Sequence, residues 1–412
     1  MKRKVIILLL MVIFSSVSSI AQTKVRLGID VLKEDYKFLV GKRVGLITNA
    51  TGVDSKLNST IDIINNLPGV KLVALFGPEH GVRGDIPAGE KIQSYTDAKT
   101  GLPVYSLYGK TRKPTNDMLK GIDVLIYDIQ DIGVRSYTYI STMGLAMEAA
   151  AENNIQFVVL DRPNPLTGEK FEGSIVRDDF ISFIGQFPIP YIYGLTCGEL
   201  ATMINEEGWL SNKMKCNLKV IKMKGWKRSM RWEDTGLQWV PTSPHIPHYY
   251  SAQFYAATGI LGELGVISEG VGYTLPFQLL GADWIDENEI AKRMNELKLD
   301  GVIFRPVVWR PFYGNFQGKV LHGVQVHITD FQKCNLTSIQ FYFLQELKKL
   351  YPDKDVFDLA KPERIRMFDL ATGWDNIRKK MFSQEFNYNS IKSYWEKEAN
   401  EFKSKAQKYF LY

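Results

Sequence analysis

Cysteine is scarce. The 412 residues include Cys197, Cys216 and Cys334 and no others. Their spacing matches no zinc pattern, and an odd number leaves at least one thiol unpaired in a monomer. A Cys197–Cys216 bridge is open to the chain, but buried thiols are the simpler expectation. Also missing is a GxSxG elbow, which disfavours a standard α/β-hydrolase. No GxGxxG follows the first strand and there is no Walker A loop, so dinucleotide and ATP chemistry lack support; Gly270-Val271-Gly272 is a lone GxG. No HxH, HxxxH or carboxylate cluster of metal-binding spacing occurs, so no metal and no cofactor is expected. Charge of one sign is not in excess either. The formal balance is +6, and setting aside Lys2, Arg3 and Lys4 leaves +3, too little to argue for nucleic acid.

One long apolar run exists, Val5 to Phe14, and it is too short for a stable membrane anchor. It follows the basic Lys2-Arg3-Lys4 and precedes small residues ending in Ser19-Ile20-Ala21. That order reads as a secretory signal over residues 1–21. Export to the periplasm or beyond is therefore expected, with no membrane span after cleavage. The rest, with 45% hydrophobic and 23% charged residues over the whole chain, is globular and long enough for two compact units.

Short apolar runs alternate with helical patterns. Val25 to Leu32 predicts a first strand and Val44 to Thr48 a second. Lys56 to Asn66 predicts a helix. Leu72 to Phe76 is a strand, then Leu102 to Tyr105, then Val124 to Tyr127. A helix over Tyr137 to Asn153 and a strand over Phe157 to Leu160 follow. Strand, polar loop, helix, strand is the pattern of βαβ units and a parallel sheet. Thr196 with Glu199 is a capping box opening a helix to Trp209. Later elements are a strand over Leu218 to Met223, a helix over Ile290 to Leu297, strands over Val302 to Pro306 and Gly323 to Thr329, and helices over Ser338 to Leu350 and Ile391 to Phe410. No linker of low complexity separates them. The expected division is an α/β domain over 22–194 and a second α+β domain over 195–412, closely packed.

Polar bursts end three of the apolar strands: Glu79-His80, Asp128 to Arg135, and Asp161 to Asn164. Ligands of parallel sheets bind outside the carboxyl ends of the strands, so these bursts are predicted to share one rim. Glu79 follows Gly77-Pro78 and is flanked by Gly81, Arg83, Gly84 and Asp85. Partly desolvated there, its carboxyl group suits a general acid; otherwise it is a solvated turn residue or a partner for Arg83. His80 orients Glu79, bonds substrate, or caps a carbonyl. Asp128 and Asp131 hold a water, pair with Arg135, or bind a metal with His80. Arg135 and Arg162 suit carboxylate recognition, or internal pairing with Asp128, Asp131 or Asp161. His245, between prolines in PTSPHIPHYY, fits a polar contact in a cleft. Glu269 is a candidate second carboxylate, or a buried partner for an arginine. Trp226, Trp239, Tyr249, Tyr250 and Tyr273 could stack on a sugar, though most aromatics are core.

The blocks GLITNATGVD (Gly45 to Asp54), FGPEHGVRGD (Phe76 to Asp85), DIQDIGVRSYTY (Asp128 to Tyr139), LDRPNP (Leu160 to Pro165) and ISEG (Ile267 to Gly270) resemble a bacterial family once known only as a domain of unknown function. Its characterised members are exo-acting β-N-acetylmuramidases of peptidoglycan turnover, the NamZ type. The resemblance spans essentially the whole mature chain. It implies a Rossmann-like domain, a smaller C-terminal domain and a cleft between them. It also implies release of N-acetylmuramic acid from the non-reducing ends of glycan or muropeptide fragments, such as a MurNAc–GlcNAc disaccharide. The PEHG glutamate, favoured as catalytic in the family, carries over to Glu79. Together the chemistry and the resemblance nominate Glu79, His80, Asp128 and Glu269 for catalysis. They nominate Arg83, Asp131, Arg135, Tyr137, Arg162, Asn164 and His245 for substrate binding, the arginines because muramic acid carries a lactyl carboxylate. A substrate-assisted route through the 2-acetamido group stays open beside the two-carboxylate mechanisms. A non-catalytic binder of cell-wall fragments and a metal-dependent amidase or deacetylase are the alternatives.

Overall fold

The computed structural model describes residues 25–84, 94–381 and 386–412. The secretory segment, and the part of the Glu79 loop from Asp85 to Glu90, lie outside them. A seven-stranded sheet is built from β1 (Arg43–Thr48), β2 (Lys71–Gly77), β3 (Tyr95–Thr96), β4 (Pro103–Ser106), β5 (Val124–Asp128), β6 (Gln156–Leu160) and β7 (Leu218–Ile221). Their order is β3-β4-β2-β1-β5-β6-β7. Every pairing is parallel except that of the short edge strand β3 with β4. The strands are near-continuous apolar runs because helices cover both faces, as in all parallel sheets. From β1 the chain winds outward one way through β2 and β4, then the other way through β5, β6 and β7. The order reverses between β1 and β5.

A second, smaller sheet is antiparallel, with β8 (Leu279–Ala282), β10 (Leu321–Ile328) and β9 (Val302–Trp309) in that order. Helices Ser251–Gly262, Glu287–Glu296, Ser338–Leu350, Pro362–Thr372 and Tyr388–Ala406 complete this domain. The last of these buries Tyr388, Ile391, Trp395, Ala399, Phe402 and Ala406 along one stripe, at the spacing of a docking helix. No described helix is long and apolar enough to cross a membrane. The α/β fold with a smaller second domain is the one expected.

Two expectations need correction. The run Val25 to Leu32 is not a strand: Gly28–Leu32 is a helical turn, closed by the Asp30 carboxylate accepting from the Leu27 amide at 3.0 Å. Apolar runs this short do not separate strand from helix. The domain boundary at 194/195 falls inside the α/β unit, because β7 pairs with β6 far beyond it. Capping at Thr196, with Glu199 reciprocating, marks the start of one more crossover helix and not of a new domain. The cysteines follow the simpler expectation: all three are buried free thiols, with no bridge.

The end of the chain returns to the first domain. The Leu411 amide donates to Glu199 at 2.9 Å, and the Tyr412 hydroxyl donates to Asp161 at 2.7 Å while accepting from the Met223 amide.

Candidate active site

Strand β2 delivers the first side chains. Its apolar run is buried, and Gly77-Pro78 ends it in a turn closed by the Gly81 amide on the Pro78 carbonyl at 3.0 Å. His80 has a left-handed backbone, with φ of 72°, as does Gly81 at 71°. A non-glycine residue held there costs roughly 1 kcal/mol or more and clusters at functional sites. The two left-handed residues reverse the chain sharply beyond Glu79.

Glu79 and His80 open into a cleft of about 300 Å3 between the domains. The α/β side adds Tyr108, just past β4, and Ser136 to Tyr139, past β5. Ser243, His245 and Ile246 come from the connecting segment. Tyr255, Glu263, Phe277 and Met367 come from the second domain. Thr138 Oγ1 donates to the Glu79 carboxylate at 3.5 Å. Burial, then the nearby Glu79 charge and a hydrogen bond to it, push the Tyr108 hydroxyl up to about 12, so Tyr108 stays protonated as a donor. Tyr137 donates to Thr242 Oγ1 at 2.8 Å, and Tyr139 to the Thr242 carbonyl. Ser136 Oγ lies 3.1 Å from the Tyr191 hydroxyl and 3.2 Å from that of Tyr255. The cleft is thus hydroxyl-rich and rigidly tied.

Glu263 follows helix Ser251–Gly262 and is the second carboxyl group of the cleft. Burial holds its proton more tightly than usual, against a weak opposing pull from Arg364 at 3.9 Å. His245 is pushed down by burial and by His80 nearby, which favours its neutral form at pH 7. Its Nε2 lies 2.9 Å from the Tyr313 hydroxyl.

The structure brings Glu79, His80, Tyr137 and His245 together in this cleft. The other nominated residues are placed elsewhere. Asp128, fully buried, accepts from Arg162 Nε at 2.6 Å, from a second Arg162 nitrogen at 2.8 Å and from Thr60. Arg162 also donates to the Val53 carbonyl at 2.8 Å. Acid and base consume each other beneath the rim, so neither is placed for catalysis or substrate. Asp131 accepts from Tyr193 and from the Gly133 amide, and burial raises it to about 7. Asn164 bridges the Leu166 amide and the Leu195 carbonyl. Arg135 is fully buried and donates to the carbonyls of Ser174 and Ile189 in one domain and of Ala371 and Thr372 in the other. It fastens the domains together. Arg83 grips Asp97 through three hydrogen bonds of 3.0 to 3.2 Å. Glu269 packs against the helix end at Gly262 and is raised to about 7 by burial; it is Glu263, not Glu269, that lines the cleft. Among the described residues, no group of three or more His, Cys, Asp or Glu side chains could hold a metal ion.

Tyr108, Thr138, Tyr255 and Glu263 were not foreseen. Tyr108 obeyed the strand-end rule and could have been found by extending it to β4. Glu263 was hidden because the proline- and aromatic-rich stretch before Ser251 obscured the helix that carries it.

Comparison with known proteins gives a consistent picture. Two family models match, one described as exo-beta-N-acetylmuramidase NamZ, N-terminal, over residues 44–250, the other as its C-terminal counterpart over 253–412. Their junction lies where helix Ser251–Gly262 begins. A curated relative, peptidoglycan beta-N-acetylmuramidase NamZ of Bacillus subtilis (strain 168), is 47% identical over 390 residues, covering 94% of this chain and 92% of that one. Two crystal structures of DUF1343 family proteins from Bacteroides fragilis are similar. One has a TM-score of 0.89 at 60% identity, covering 94% of this chain and 99% of its own. The other has 0.76 at 29%, covering 95% and 99%.

Proposed function

The chain belongs to the exo-β-N-acetylmuramidase NamZ family, and from that premise we propose that it is a glycosidase. It releases N-acetylmuramic acid from the non-reducing ends of peptidoglycan fragments, with Glu79 as the general acid. The observation that carries the reading is the interdomain cleft in which Glu79 and Glu263 are the carboxyl groups of the described lining. Glycoside hydrolysis needs a proton delivered to the leaving oxygen and a second group that stabilises or attacks the anomeric carbon. Glu79, touched by Tyr108 and Thr138, is held in one orientation for the first task. Glu263 enters from the other domain for the second. It either activates water or orients the substrate's own 2-acetamido group, and the anomeric form of the product separates these routes.

Substrates of this reading are MurNAc–GlcNAc and muropeptides. The substrate polymer lies outside the cytoplasm, and residues 1–21 read as a secretory leader, so the proposed site of action is the periplasm or the medium. The test is incubation of the protein with MurNAc–GlcNAc. Free N-acetylmuramic acid is expected. Glu79→Gln is expected to slow its release by roughly 100- to 10,000-fold, the usual worth of a positioned acid, with thermal stability unchanged. Full activity in that variant would remove Glu79 from its role; tight binding without turnover by the wild type would favour the binding-protein alternative.

A further inference from the structure

The sugar acid of the proposed reaction carries a carboxylate on its lactyl ether. The ether is on C3, two ring carbons from the anomeric centre, so the carboxylate belongs at the edge of the cleft and not at its middle. The described lining of the cleft contains no arginine or lysine. Arg83, Arg135 and Arg162 are committed to Asp97, to backbone carbonyls and to Asp128. Arg364 leans on Glu263.

Arg112 is differently placed. Its guanidinium lies 4.3 Å over the ring of Phe183, whose chain neighbour Ile184 lines the cleft. Its positive charge reaches the hydroxyl of Tyr108, the residue that touches Glu79. No described carboxylate pairs with it, and it is exposed. A guanidinium over an aromatic ring spends no hydrogen-bond donor on that contact, and its fork matches a carboxylate with two parallel hydrogen bonds. A permanent cation at the rim, held over Phe183 and with no described carboxylate beside it, is what recognition of an acidic sugar requires.

We propose that Arg112 is the residue that binds the carboxylate of the substrate and so selects an acidic amino sugar over a neutral one. This rests on the glycosidase reading above. Arg112 recognises the substrate and takes no part in bond cleavage. The test compares MurNAc–GlcNAc with its lactyl methyl ester, which keeps the shape and loses the charge. In Arg112→Ala, kcat/KM on the acid is expected to fall roughly 10- to 100-fold, as expected for loss of a charge-assisted pair. Most of the change should lie in KM. On the ester the variant should stay within about twofold of the wild type, so the preference for acid over ester collapses. Arg112→Lys, which keeps the charge and loses the fork, should recover part of it. Equal losses on both substrates, or an undiminished preference, would overturn the assignment. Binding of free N-acetylmuramic acid and of its methyl ester, measured by calorimetry, decides the matter separately. If the wild type binds both and cleaves neither disaccharide, the glycosidase reading fails. Arg112 then stands only if Arg112→Ala weakens the acid and not the ester.

Discussion

Two stretches of the same sheet rim look alike on paper and differ in space. At the ends of β5 and β6, Asp128, Asp131, Asp161, Arg162 and Asn164 are all buried, and each is bonded to protein. At the ends of β2 and β4, Glu79, His80 and Tyr108 open into a cleft. The β1/β5 reversal is where open α/β sheets most often hold a ligand. Here Trp232 and Leu237, from the long segment after β7, line it together with Thr51, Gln130 and Arg162 and leave only about 20 Å3. With that crevice filled, the accessible site moves two strands along the sheet, to where the second domain leaves a gap. Polar residues at a strand end become a site only if nothing covers them. Where the chain covers them, desolvation forces them to neutralise each other, and they become framework.

The comparison breaks most decisively with a pair of variants. Glu79→Gln should abolish activity and spare stability, and Arg162→Met should do the reverse. Removing Arg162 strands the buried Asp128 charge and should cost about 3–5 kcal/mol in denaturant unfolding. The fraction that remains folded should keep its specific activity. A catalytic defect in stable Arg162→Met protein would return that rim to the site.

Asp131 gives a smaller test of the framework. Its folded-state value of about 7 lies above the ordinary 3.8. Between those pH values the unfolded chain gives up a proton that the folded chain keeps, so stability falls as pH rises from about 4 to about 7. Asp131→Asn should flatten that fall, by on the order of a few kcal/mol. Unfolding curves at pH 4.5 and pH 7 measure it; an unchanged slope would mean that Asp131 is ionised in place. The smallest effect is expected at the open rim. Tyr108→Phe deletes one hydrogen bond to Glu79 and should lower kcat by roughly 3- to 10-fold, about 1 kcal/mol, with KM nearly constant.

The sheet was legible in the sequence because every central strand is an apolar run cut off by polar residues. The capping box at Thr196 and the stripe of helix Tyr388–Ala406 were legible for the same reason: each is a local pattern with a fixed period. Glu79 and His80 stood out through the glycines and the proline around them. Covering by distant chain is not local and was not legible. Pairing of Arg162 with Asp128 was one of two readings open, and nothing near Asp128 in sequence chooses it, reveals that Thr60 will join it, or shows that Arg135 will be claimed by carbonyls at Ala371 and Thr372. The second carboxyl group was missed by six positions, Glu269 for Glu263, because an apolar helix and a Gly-rich turn gave no periodic signal that separates the two.

The contact between Tyr412 and Asp161 spans 251 positions. Asp161 also takes hydrogen bonds from Thr196 and from the Gly198 amide, so the tail closes a network at the end of β6 that the first domain cannot finish by itself. Residues of the α/β domain through Ile221 are synthesised long before Tyr412, so this closure joins parts of the chain far apart in sequence, and the long separation makes it slower than the local contacts it completes. A tag fused after Tyr412 would be built onto a half-buried anchor that holds Asp161. One placed ahead of residue 25 would leave that anchor untouched.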